Sequence, residues 1–568
     1  YTTPTEMITA HVGENQYTID KKTVAVDYQV VKVEDGMAYV ALEYIKQYTA
    51  LDYEYMTEPN RVQITCEYGD VTVVEAKKDG EVRYRAGHKS PILTEVKKGD
   101  QMYVLDEGET PIEKWTRVRT ADGYIGYIKD KKLREETTMT TSTDFVEPVY
   151  SNLTKDYTIN LAWHQVTNTD ANNQVLEKLA DAKGLTTISP TWFFIKDDNG
   201  NIQSLASQSY VDYCHQNGVE VWGLVENITY KNQFSITSVL NKTSSRQNLV
   251  TQLIAQAIRY GLDGINVDIE ELPAEAGAGF IEFIRELSIM CRRNNIILSV
   301  DNYVPMAYNQ NYNRKEQGIV ADYVIIMGYD EHFAGSEEAG SVASIGYVRN
   351  GIEKTLEEVP AEKVINAVPF YTRLWETDGA GKVSSSALGM GAAQRTVANN
   401  GATPEWSEEA GQYYAEYENG DSFYQIWLEE ERSIEEKAKL MKEYNLAGIA
   451  SWRLGYEKDE IWDILLKMQK KDQFRCQVNL FLGEKQLLVE GLIDTGNSLR
   501  DPTTGRPVHI LDRKAMECFS SERVEGRICY VPFHSIGKKD GLLLVVKMDR
   551  MHILGVHECW IEDPLIGI

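Results

Sequence analysis

The sequence has few cysteines and histidines, and neither type is arranged as a metal site. Its 568 residues include seven cysteines and nine histidines, with no Cys-x-x-Cys pair and no His-Glu-x-x-His motif. Zinc ligands recur at close, fixed spacings, so we expect no metal and no other cofactor. The odd number of scattered cysteines predicts that most of them are free, buried thiols.

The chain also lacks clustered positive charge and long apolar runs. Lysine and arginine number 59 against 86 acidic residues, which gives a net charge of −27. Proteins that follow a phosphate backbone present basic residues on one face, so nucleic acid is not an expected partner. No apolar run is long enough for a membrane-spanning helix. Because the sequence starts at Tyr1 rather than at methionine, we expect an export signal upstream.

The length of the chain predicts a multidomain protein, with about three to five domains. Residues 1–80 read as a small α+β unit of short strands around a helical stretch at 40–49, followed by Asp-Tyr-Glu-Tyr at 52–55 and Val-Gln-Ile at 62–64. The unit resembles the small repeat domain named after the amino terminus of copper amine oxidases. The resemblance implies no copper here, and a plain spacer explains the segment equally well.

Residues 81–135 alternate short strands with turn signals and resemble a bacterial Src-homology-3-like barrel. Such barrels often bind peptidoglycan peptides, which makes Trp115 and Tyr127 candidate surface aromatics, although tryptophan in a small domain is more often a core residue. Residues 136–152, with threonines between 137 and 143, are predicted to be a linker. The motifs behind the resemblance are Lys-Gly-Asp at 98–100, Trp-Thr-Arg-Val at 115–118 and Gly-Tyr-Ile-Gly-Tyr-Ile at 123–128.

From residue 153 onward, apolar strands alternate with helices of period 3.6, which is the pattern of βα units. Eight strand candidates predict a closed (β/α)8 TIM barrel over residues 153–470. Apolar residues at helical spacing between 249 and 258, followed by Gly261, predict a helix outside the barrel. The strand candidates are residues 158–166, 186–195, 220–226, 264–270, 296–304, 323–329, 364–369 and 448–452.

Polar residues are concentrated on the fourth strand candidate, which reads Asp-Gly-Ile-Asn-Val-Asp-Ile-Glu from 263 to 270. Side chains alternate along a strand, so Asn266, Asp268 and Glu270 share one face and the apolar residues share the other. The apolar face suits the helix layer, so the polar face should point into the barrel. Polar groups there are costly unless they are paired or functional, and these rise toward the carboxyl end, where barrel enzymes place their sites.

This motif resembles the Asp-Gly-x-x-x-Asp-x-Glu signature of glycoside hydrolase family 18. Two further motifs agree with it: Met-Gly-Tyr-Asp at 327–330 ends the sixth strand, and Gly-Ile-Ala-Ser-Trp-Arg at 448–453 supplies a tryptophan at the end of the eighth. The resemblance covers the whole barrel. It implies a retaining β-N-acetylglucosaminidase type of reaction, in which the substrate's own 2-acetamido oxygen attacks the anomeric carbon.

The resemblance also implies catalytic roles. Glu270 would protonate the glycosidic oxygen and then, as a carboxylate, activate the water that opens the oxazolinium intermediate. The like charge of Asp268 would raise the proton affinity of Glu270, and Asp268 would also accept a hydrogen bond from the acetamido nitrogen. Asp263 would share the proton from behind Asp268, and Tyr329 would hold the acetamido oxygen.

The remaining predicted site residues would bind substrate, with Trp452 as an apolar floor under the sugar. Asn266 departs from the family pattern, because many chitinases carry another aspartate there; the charge relay behind Asp268 is therefore expected to be shorter. An acidic strand end can instead bind a divalent cation. A barrel of this family can also be an inactive lectin, although such proteins usually lose the glutamate that is present here as Glu270. The residues implied for substrate binding are Asn266, Met327, Asp330 and Trp452.

Several details resemble the spore-cortex and cell-wall glucosaminidases of spore-forming Firmicutes. This resemblance implies peptidoglycan as the substrate, with chitin as the alternative, and a location in the cell wall or spore envelope. The motifs are Asn266, His-Gln at 164–165, Tyr-Asp-Glu-His at 329–332, Ala-Gly-Ser-Val-Ala-Ser at 339–344 and Trp-Arg-Leu-Gly at 452–455.

Residues 474–568 carry a different motif, Gly-Leu-Ile-Asp-Thr-Gly-Asn-Ser-Leu at 491–499. With Val-Pro-Phe at 531–533 and Leu-Ile-Gly at 565–567, it resembles the aspartic peptidase that processes a sporulation sigma factor, in truncated form. The resemblance implies an all-β, pepsin- or retropepsin-like domain. Aspartic proteolysis needs two carboxyls that share a proton, so Asp494 would have to pair with its mate in a homodimer.

The two halves of the chain imply different compartments. A wall hydrolase acts outside the membrane, whereas the sigma-processing peptidase acts on its cytoplasmic side. A natural fusion and a joined gene both fit this conflict. Three functions therefore remain open from sequence: a glycosidase, an aspartic endopeptidase, and a non-catalytic wall-binding protein built on a decayed barrel.

Overall fold

The fold is taken from a computed structural model. It describes residues 1–105, 112–469, 475–483, 485–492, 499–511, 513–516, 519, 527–535, 538–554 and 559–567. Within these ranges the chain forms several separate sheets, one of which is a closed parallel barrel.

The amino-terminal unit consists of three small antiparallel sheets around a core of Ile8, Tyr17, Val30 and Tyr44. The helix expected at 40–49 is only one turn long. The unit rests on the barrel, where Arg292 donates to the backbone oxygen of Pro4 at 2.8 Å. Its elements are β1 (Ile8–Ala10), β2 (Gln16–Ile19), β3 (Lys22–Ala25), β4 (Val31–Glu34), β5 (Met37–Val40), α1 (Leu42–Ile45), β6 (Asp52–Thr57) and β7 (Asn60–Thr65).

The next unit is a seven-stranded antiparallel sheet in the order β10-β9-β13-β12-β11-β8-β14. The prediction that the threonine-rich stretch is a linker is wrong, because residues 137–141 form a strand that pairs with β8. Threonine is β-branched and packs well on a pleated sheet, a preference that the turn signal obscured. The strands are β8 (Gly69–Glu75), β9 (Gly80–Arg83), β10 (Ile92–Val96), β11 (Gln101–Val104), β12 (Trp115–Arg119), β13 (Ile125–Lys129) and β14 (Thr137–Thr141).

The predicted TIM barrel is confirmed, with all eight strands parallel and the first paired to the second and to the eighth. A short strand, β17 (Ile202–Ser204), pairs antiparallel with the end of the second barrel strand. The barrel strands are β15 (Ile159–His164), β16 (Thr187–Ile195), β18 (Glu220–Glu226), β19 (Gly264–Asp268), β20 (Ile297–Tyr303), β21 (Tyr323–Met327), β22 (Val364–Pro369) and β28 (Gly448–Trp452).

Helices cover the outside of the barrel. The helix predicted before the fourth strand is α5, and it ends at Gly261, whose φ of 66° lies in the left-handed region that glycine adopts without strain. The helices are α2 (Val175–Lys178), α3 (Gln208–Gln216), α4 (Ile236–Asn241), α5 (Thr243–Tyr260), α6 (Gly277–Arg293), α7 (Arg314–Val320), α8 (Ile345–Leu356), α10 (Glu431–Glu443) and α11 (Glu460–Gln469).

An extension that the sequence did not predict stands between the seventh strand and α10. Its five-stranded antiparallel sheet packs on one helix. It is joined to the barrel by a fully buried ion pair, in which Lys437 of α10 contacts both carboxylate oxygens of Glu429 at 2.7 and 2.9 Å. The elements are β23 (Tyr371–Thr377), β24 (Val383–Gly389), α9 (Met390–Asn399), β25 (Glu405–Ser407), β26 (Gln412–Asn419) and β27 (Ser422–Leu428).

The described residues after 474 form two four-stranded sheets, ordered β30-β29-β34-β35 and β31-β36-β33-β32. A core of aliphatic residues and Phe519 fills the space beside the first sheet. The elements are β29 (Arg475–Leu482), β30 (Lys485–Leu492), β31 (Val508–Ile510), α12 (Arg513–Met516), β32 (Ile528–Ser535), β33 (Lys538–Lys547), β34 (Arg550–Leu554), β35 (Cys559–Glu562) and β36 (Leu565–Gly567).

Among the described residues, no helix is long and apolar enough to span a membrane. Five cysteines whose side chains the structure describes are free, as expected, but only Cys214 and Cys291 of these are buried. Cys66 and Cys559 are exposed, so the prediction of mostly buried thiols is wrong for them.

The lower half of the barrel interior is filled by large side chains. Trp222 stacks on Tyr323 with ring centroids 5.6 Å apart, and both are buried. Gly264 faces them from the fourth strand, where a Cβ would lie 2.7 Å from the indole of Trp222. The absence of a side chain at Gly264 therefore makes room for the tryptophan.

We expect Gly264→Ala to destabilise the barrel, because the added methyl group overpacks the interior, a defect that costs about 1–3 kcal/mol. The measurement is the urea midpoint of barrel unfolding, followed by tryptophan fluorescence. Gly346→Ala in α8 is the matched control, since no atom lies within 4 Å of a methyl group there. Equal destabilisation by both substitutions would contradict the packing argument.

Candidate active site

The polar face of the fourth barrel strand points into the barrel, as predicted. Asn266 is completely buried in the interior, and Asp268 ends the strand at the wall of a cavity of about 190 Å³. Glu270 lies two residues beyond the strand end and lines the same cavity. The strand alternation therefore brings both carboxyls to one place at the carboxyl end of the barrel.

The backbone of Glu270 is held by a side chain from the neighbouring strand end. Asn227, which follows β18, accepts from the Glu270 amide at 2.9 Å and donates to the Glu270 carbonyl at 3.0 Å. This reciprocal pair replaces the ladder bonds that end with the strand. The next residue, Glu271, has a φ of 50°, so the chain turns sharply just beyond the carboxyl group.

The carboxyl of Glu270 accepts a hydrogen bond of 2.7 Å from the hydroxyl of Tyr303, at the end of β20. Burial raises the pKa of Glu270, and the bond from Tyr303 opposes this shift. The charges of Asp330, Glu271 and Glu226 raise it further. The sequence interpretation named Asp268 as the cause of the raised pKa, whereas desolvation is the largest one.

Asp268 and Asp301 also have pKa values well above the usual range, chiefly through burial. The charges of Glu270, Asp301 and Glu226 add to the shift at Asp268. At Asp301 the amide of Asn266 opposes the shift and the charge of Glu270 adds to it. Three carboxyls thus share one poorly hydrated cavity, where burial and their mutual repulsion oppose the simultaneous ionisation of all three.

Asp263 does not join this group. It lies before the first residue of the fourth strand, at the opposite end of the barrel from the cavity, and its Oδ2 accepts from the backbone amide of Val221 and contacts His215, both at 2.8 Å. The expectation that Asp263 stands behind Asp268 is therefore wrong. The two residues are five positions apart on an extended strand, too far for their carboxyls to meet.

Tyr329 and Asp330 follow the sixth strand and line the cavity, together with Met327 at its last position. Burial raises the pKa of the Tyr329 hydroxyl well above its ordinary value, and the charges of Asp268 and Asp301 contribute. Asp330 has a φ of 59° and accepts a hydrogen bond from Tyr371. That contact, from the first residue of the extension, helps to hold a strained backbone conformation.

Trp452 lies at the end of the eighth strand and completes the cavity wall. Its ring lies 6.0 Å from that of Trp163, the last residue but one of the first strand, so two indoles close one side of the cavity. The predicted residues Asp268, Glu270 and Trp452 are thus brought together with Met327, Tyr329 and Asp330. Asp494 lies outside the described residues.

Sequence reasoning missed five residues of the site: Asn227, Asp301, Tyr303, Tyr371 and Trp163. A signal for two of them was present, because the fifth strand alternates as the fourth does and sets Ser299, Asp301 and Tyr303 on one face. Asn227 and Tyr371 carry no such pattern. In the part of the chain that the structure describes, no group of three or more His, Cys, Asp or Glu residues has the arrangement of a metal site.

A closed parallel barrel with carboxyl groups and aromatic walls at its carboxyl end defines a TIM-barrel hydrolase. The family model "Glycosyl hydrolases family 18" matches residues 158–457, a little over half of the chain, and the protein belongs to this family. It is a glycoside hydrolase that acts on N-acetylglucosamine glycans.

Two relatives and one solved structure illustrate the match. The "Uncharacterized glycosylase YvbX" of Bacillus subtilis is 26% identical over 289 residues, which cover 49% of this chain and 83% of that protein. The cortical fragment-lytic enzyme of Bacillus subtilis is 27% identical over 251 residues, or 43% of this chain and 57% of that enzyme. A chitinase structure from Chromobacterium violaceum shares the fold, with a TM-score of 0.50 and 23% identity over 56% of this chain and all of that one.

Two further family models match outside the barrel. "Bacterial SH3 domain" matches residues 78–133, and "Sporulation factor SpoIIGA" matches residues 447–568. Both resemblances stated from the sequence are confirmed.

We expect Asn227→Ala to lower glycosidase activity by about 100-fold, because loss of its two backbone bonds lets Glu270 move, and small misplacements of reacting groups cost this much. Initial rates of sugar release by the full chain would measure it. Asn241→Ala is the matched control, since Asn241 also holds a loop backbone, donating to Glu275 at 3.0 Å, but far from the cavity. Equal activity of the two variants would show that the Asn227 contact does not position Glu270.

Proposed function

We propose that residues 153–470 form a catalytic domain that cleaves β-linked N-acetylglucosamine bonds of peptidoglycan, in particular of spore cortex, with retention of configuration. The observation that carries the proposal is the convergence of Asp268, Glu270, Tyr329 and Trp452 on one cavity at the carboxyl end of the barrel. Chitin is the alternative substrate.

Glu270 is suited to act first as an acid. Its pKa is raised by burial, which favours the proton-bearing form that an acid catalyst needs, and Tyr303 keeps one carboxyl oxygen at a fixed position. In the proposed reaction, Glu270 gives its proton to the glycosidic oxygen as the acetamido oxygen attacks the anomeric carbon. The resulting carboxylate then takes a proton from the water that opens the oxazolinium ion.

Asp268 lies beside Glu270 on the same face and is proposed to hold the acetamido group. Its Oδ1 is buried and has no hydrogen-bond partner among the described residues, so it can accept a bond from the acetamido N–H. As a carboxylate it would stabilise the positive charge of the oxazolinium ion. Tyr329, close enough to feel the charge of Asp268, is proposed to donate to the acetamido oxygen.

The sugar is proposed to rest on Trp452, with Met327 and Asp330 at the sides of the cavity. The predicted contact of Asn266 with substrate is wrong, because Asn266 is fully buried and its amide is bonded only to protein groups. Carbohydrate rings pack well on an indole face because their axial C–H groups are apolar. Tyr371 links the extension to this part of the cavity, because its hydroxyl donates a hydrogen bond to Asp330.

Peptidoglycan is proposed as the substrate because of one matched relative and of the domain that precedes the barrel. The matched cortical fragment-lytic enzyme is named for the spore cortex, and a bacterial SH3 domain precedes the barrel. We propose that residues 1–80 and 81–135 are wall-associated units and that the enzyme acts in the cell wall or spore envelope. Glycan binding is then shared between the barrel cavity and a separate domain.

The test is hydrolysis of spore cortex, vegetative peptidoglycan and chitin oligomers by the wild type and by Glu270→Gln, with products identified by mass. We expect cortex fragments that end in N-acetylglucosamine, and a loss of at least about 1,000-fold in the variant, which keeps the shape of Glu270 but has no acidic proton. Glu282→Gln, at a half-buried position of α6 that does not line the cavity, is the control. Release from chitin alone would reassign the substrate, and no release from any of the three would overturn the proposal.

We propose a second activity for residues 474–568, aspartic endopeptidase action in a pepsin- or retropepsin-like homodimer. The match to "Sporulation factor SpoIIGA" supports it, as does the all-β character of the described residues. One Asp-Thr-Gly motif supplies one carboxyl, so two chains would have to pair Asp494 with its mate.

We expect Asp494→Asn to abolish cleavage of a sporulation sigma-factor precursor without any change in sugar release. Asp501→Asn is the matched control, because Asp501 only closes a local turn, accepting from the amide of Thr504 at 3.0 Å. The measurement is precursor cleavage at several protein concentrations, since a dimeric enzyme loses specific activity on dilution. Cleavage that survives Asp494→Asn would exclude this role.

A further inference from the structure

The buried carboxyl of Asp301 lies next to Asn266, the position at which the fourth strand carries an amide instead of a carboxyl. Asn266 occupies the place of an aspartate found in many chitinases, which suggested a shorter relay behind Asp268. Asp301, on the neighbouring strand β20, is only 2% exposed and lines the same cavity. The carboxyl that is missing from the fourth strand is therefore matched by one on the fifth.

Asn266 links the two strands with all of its hydrogen-bonding capacity in use. Its Oδ1 accepts from the indole of Trp163 at 2.8 Å and from the hydroxyl of Ser189 at 3.0 Å. Its Nδ2 donates to the hydroxyl of Ser299 at 3.0 Å and to the carboxyl of Asp301 at 2.8 Å. An indole N–H can only donate, so Trp163 fixes which end of the amide faces Asp301.

This amide favours the ionised form of Asp301. A hydrogen bond donated to a carboxylate stabilises its charge, and the bond from Asn266 acts in that direction. Asp268 has no such donor, since its buried Oδ1 lacks a partner among the described residues. Of the two carboxyls, Asp301 is thus the better site for the negative charge and Asp268 the better site for the proton.

The other groups that face the pair are acidic or neutral. Glu270 and Glu226 add negative charge, and Tyr329 contributes a hydroxyl whose own pKa is raised by both aspartates. Among the described residues, no lysine or arginine is a main cause of the shifted pKa of Asp268, Glu270 or Asp301. Proton sharing between carboxyls, rather than pairing with a cation, therefore governs the charge of the cavity.

We infer that Asp301 is a positioning residue that replaces the missing aspartate by sharing one proton with Asp268. Before reaction, Asp301 carries the negative charge and Asp268 the proton. As positive charge develops on the oxazolinium ion, the proton passes from the Asp268 carboxyl to the Asp301 carboxylate. The pair keeps a net charge of −1 throughout, and Asp268 becomes the counter-ion of the intermediate. The inference rests on the proposed function of the barrel.

The test compares Asp301→Asn with the double exchange Asn266→Asp/Asp301→Asn, in the full chain on cortex fragments, as kcat/KM across pH. The single change removes the proton acceptor, and we expect a loss of about 100-fold, typical of a lost proton-transfer group. It also removes a negative neighbour, which lowers the pKa of the remaining carboxyls. The alkaline limb of the profile, where the acid loses its proton, should therefore move to lower pH.

The double exchange should restore both kcat/KM and the pH of the alkaline limb. The new carboxyl at position 266 can still accept from Trp163 and Ser189, and the new amide at position 301 can donate to it. We expect kcat/KM to return to within about tenfold of the wild type, with the alkaline limb back at its original pH. Because the network is preserved in reverse, this variant is also informative if Asp301→Asn alone folds poorly.

Asp322→Asn controls for the loss of any buried carboxyl in the barrel. Asp322 accepts from the amides of Leu153 and Leu298 at 2.7 and 2.8 Å, away from the cavity, so its loss should lower stability without moving the pH profile. A purely structural Asp301 would behave in the same way, and that result would overturn the inference. So would a double exchange no more active than the single change.

Failure of this inference is distinguishable from failure of the proposed function. If Glu270→Gln is inactive but Asp301→Asn does not change the pH profile, the proposed glycosidase function is supported and only the proposed role of Asp301 is wrong. If cleavage does not depend on Glu270, the proposed function itself falls.

Discussion

The active site depends on one constraint, that a polar side chain inside the barrel must find its hydrogen-bond partners on neighbouring strands. Much of the interior is tryptophan, tyrosine and aliphatic side chains, which offer few polar contacts. Asn266 meets the constraint with four bonds to residues of the first, second and fifth strands. Those bonds fix where Asp301 lies and, through it, the electrostatic surroundings of Asp268.

Much of the barrel was predictable because its signals are local. Apolar runs separated by helical repeats are enough to place eight parallel strands, and alternation along the fourth strand is enough to send Asp268 and Glu270 to one face. The ends of the sixth and eighth strands followed from the same rule, since all parallel strands in a barrel finish at one rim. Met327, Tyr329, Asp330 and Trp452 meet for that reason.

What could not be predicted depends on contacts between distant segments. Asn227 and Glu270 are far apart in sequence, and neither segment contains a pattern that predicts the hydrogen bonds between them. The resemblance to the family motif predicted the wrong place for Asp263, because five positions of extended strand separate its carboxyl from that of Asp268. Asp301 and Tyr303 are a different case: the alternation rule, applied to the fifth strand as it was to the fourth, identifies both.

The regions outside the barrel were harder to interpret for a physical reason. The strands between 371 and 428 are mostly half-buried or exposed, so their sequence carries no strong apolar periodicity although they form a five-stranded sheet. The threonines at 137–141 have the composition of a linker but the branching of a strand. In both cases the partner strand, which the local sequence does not specify, decides the structure.

The buried pair of Glu429 and Lys437 has a consequence for how a substrate meets the cavity. Separating the two would leave a lone charge in the protein interior, so the extension cannot swing away from the barrel at low energy. The extension, whose first residue Tyr371 lines the cavity, is thus a fixed wall rather than a mobile lid. A substrate therefore meets a cavity wall whose position is set before binding, so that no free energy of binding is used to order it.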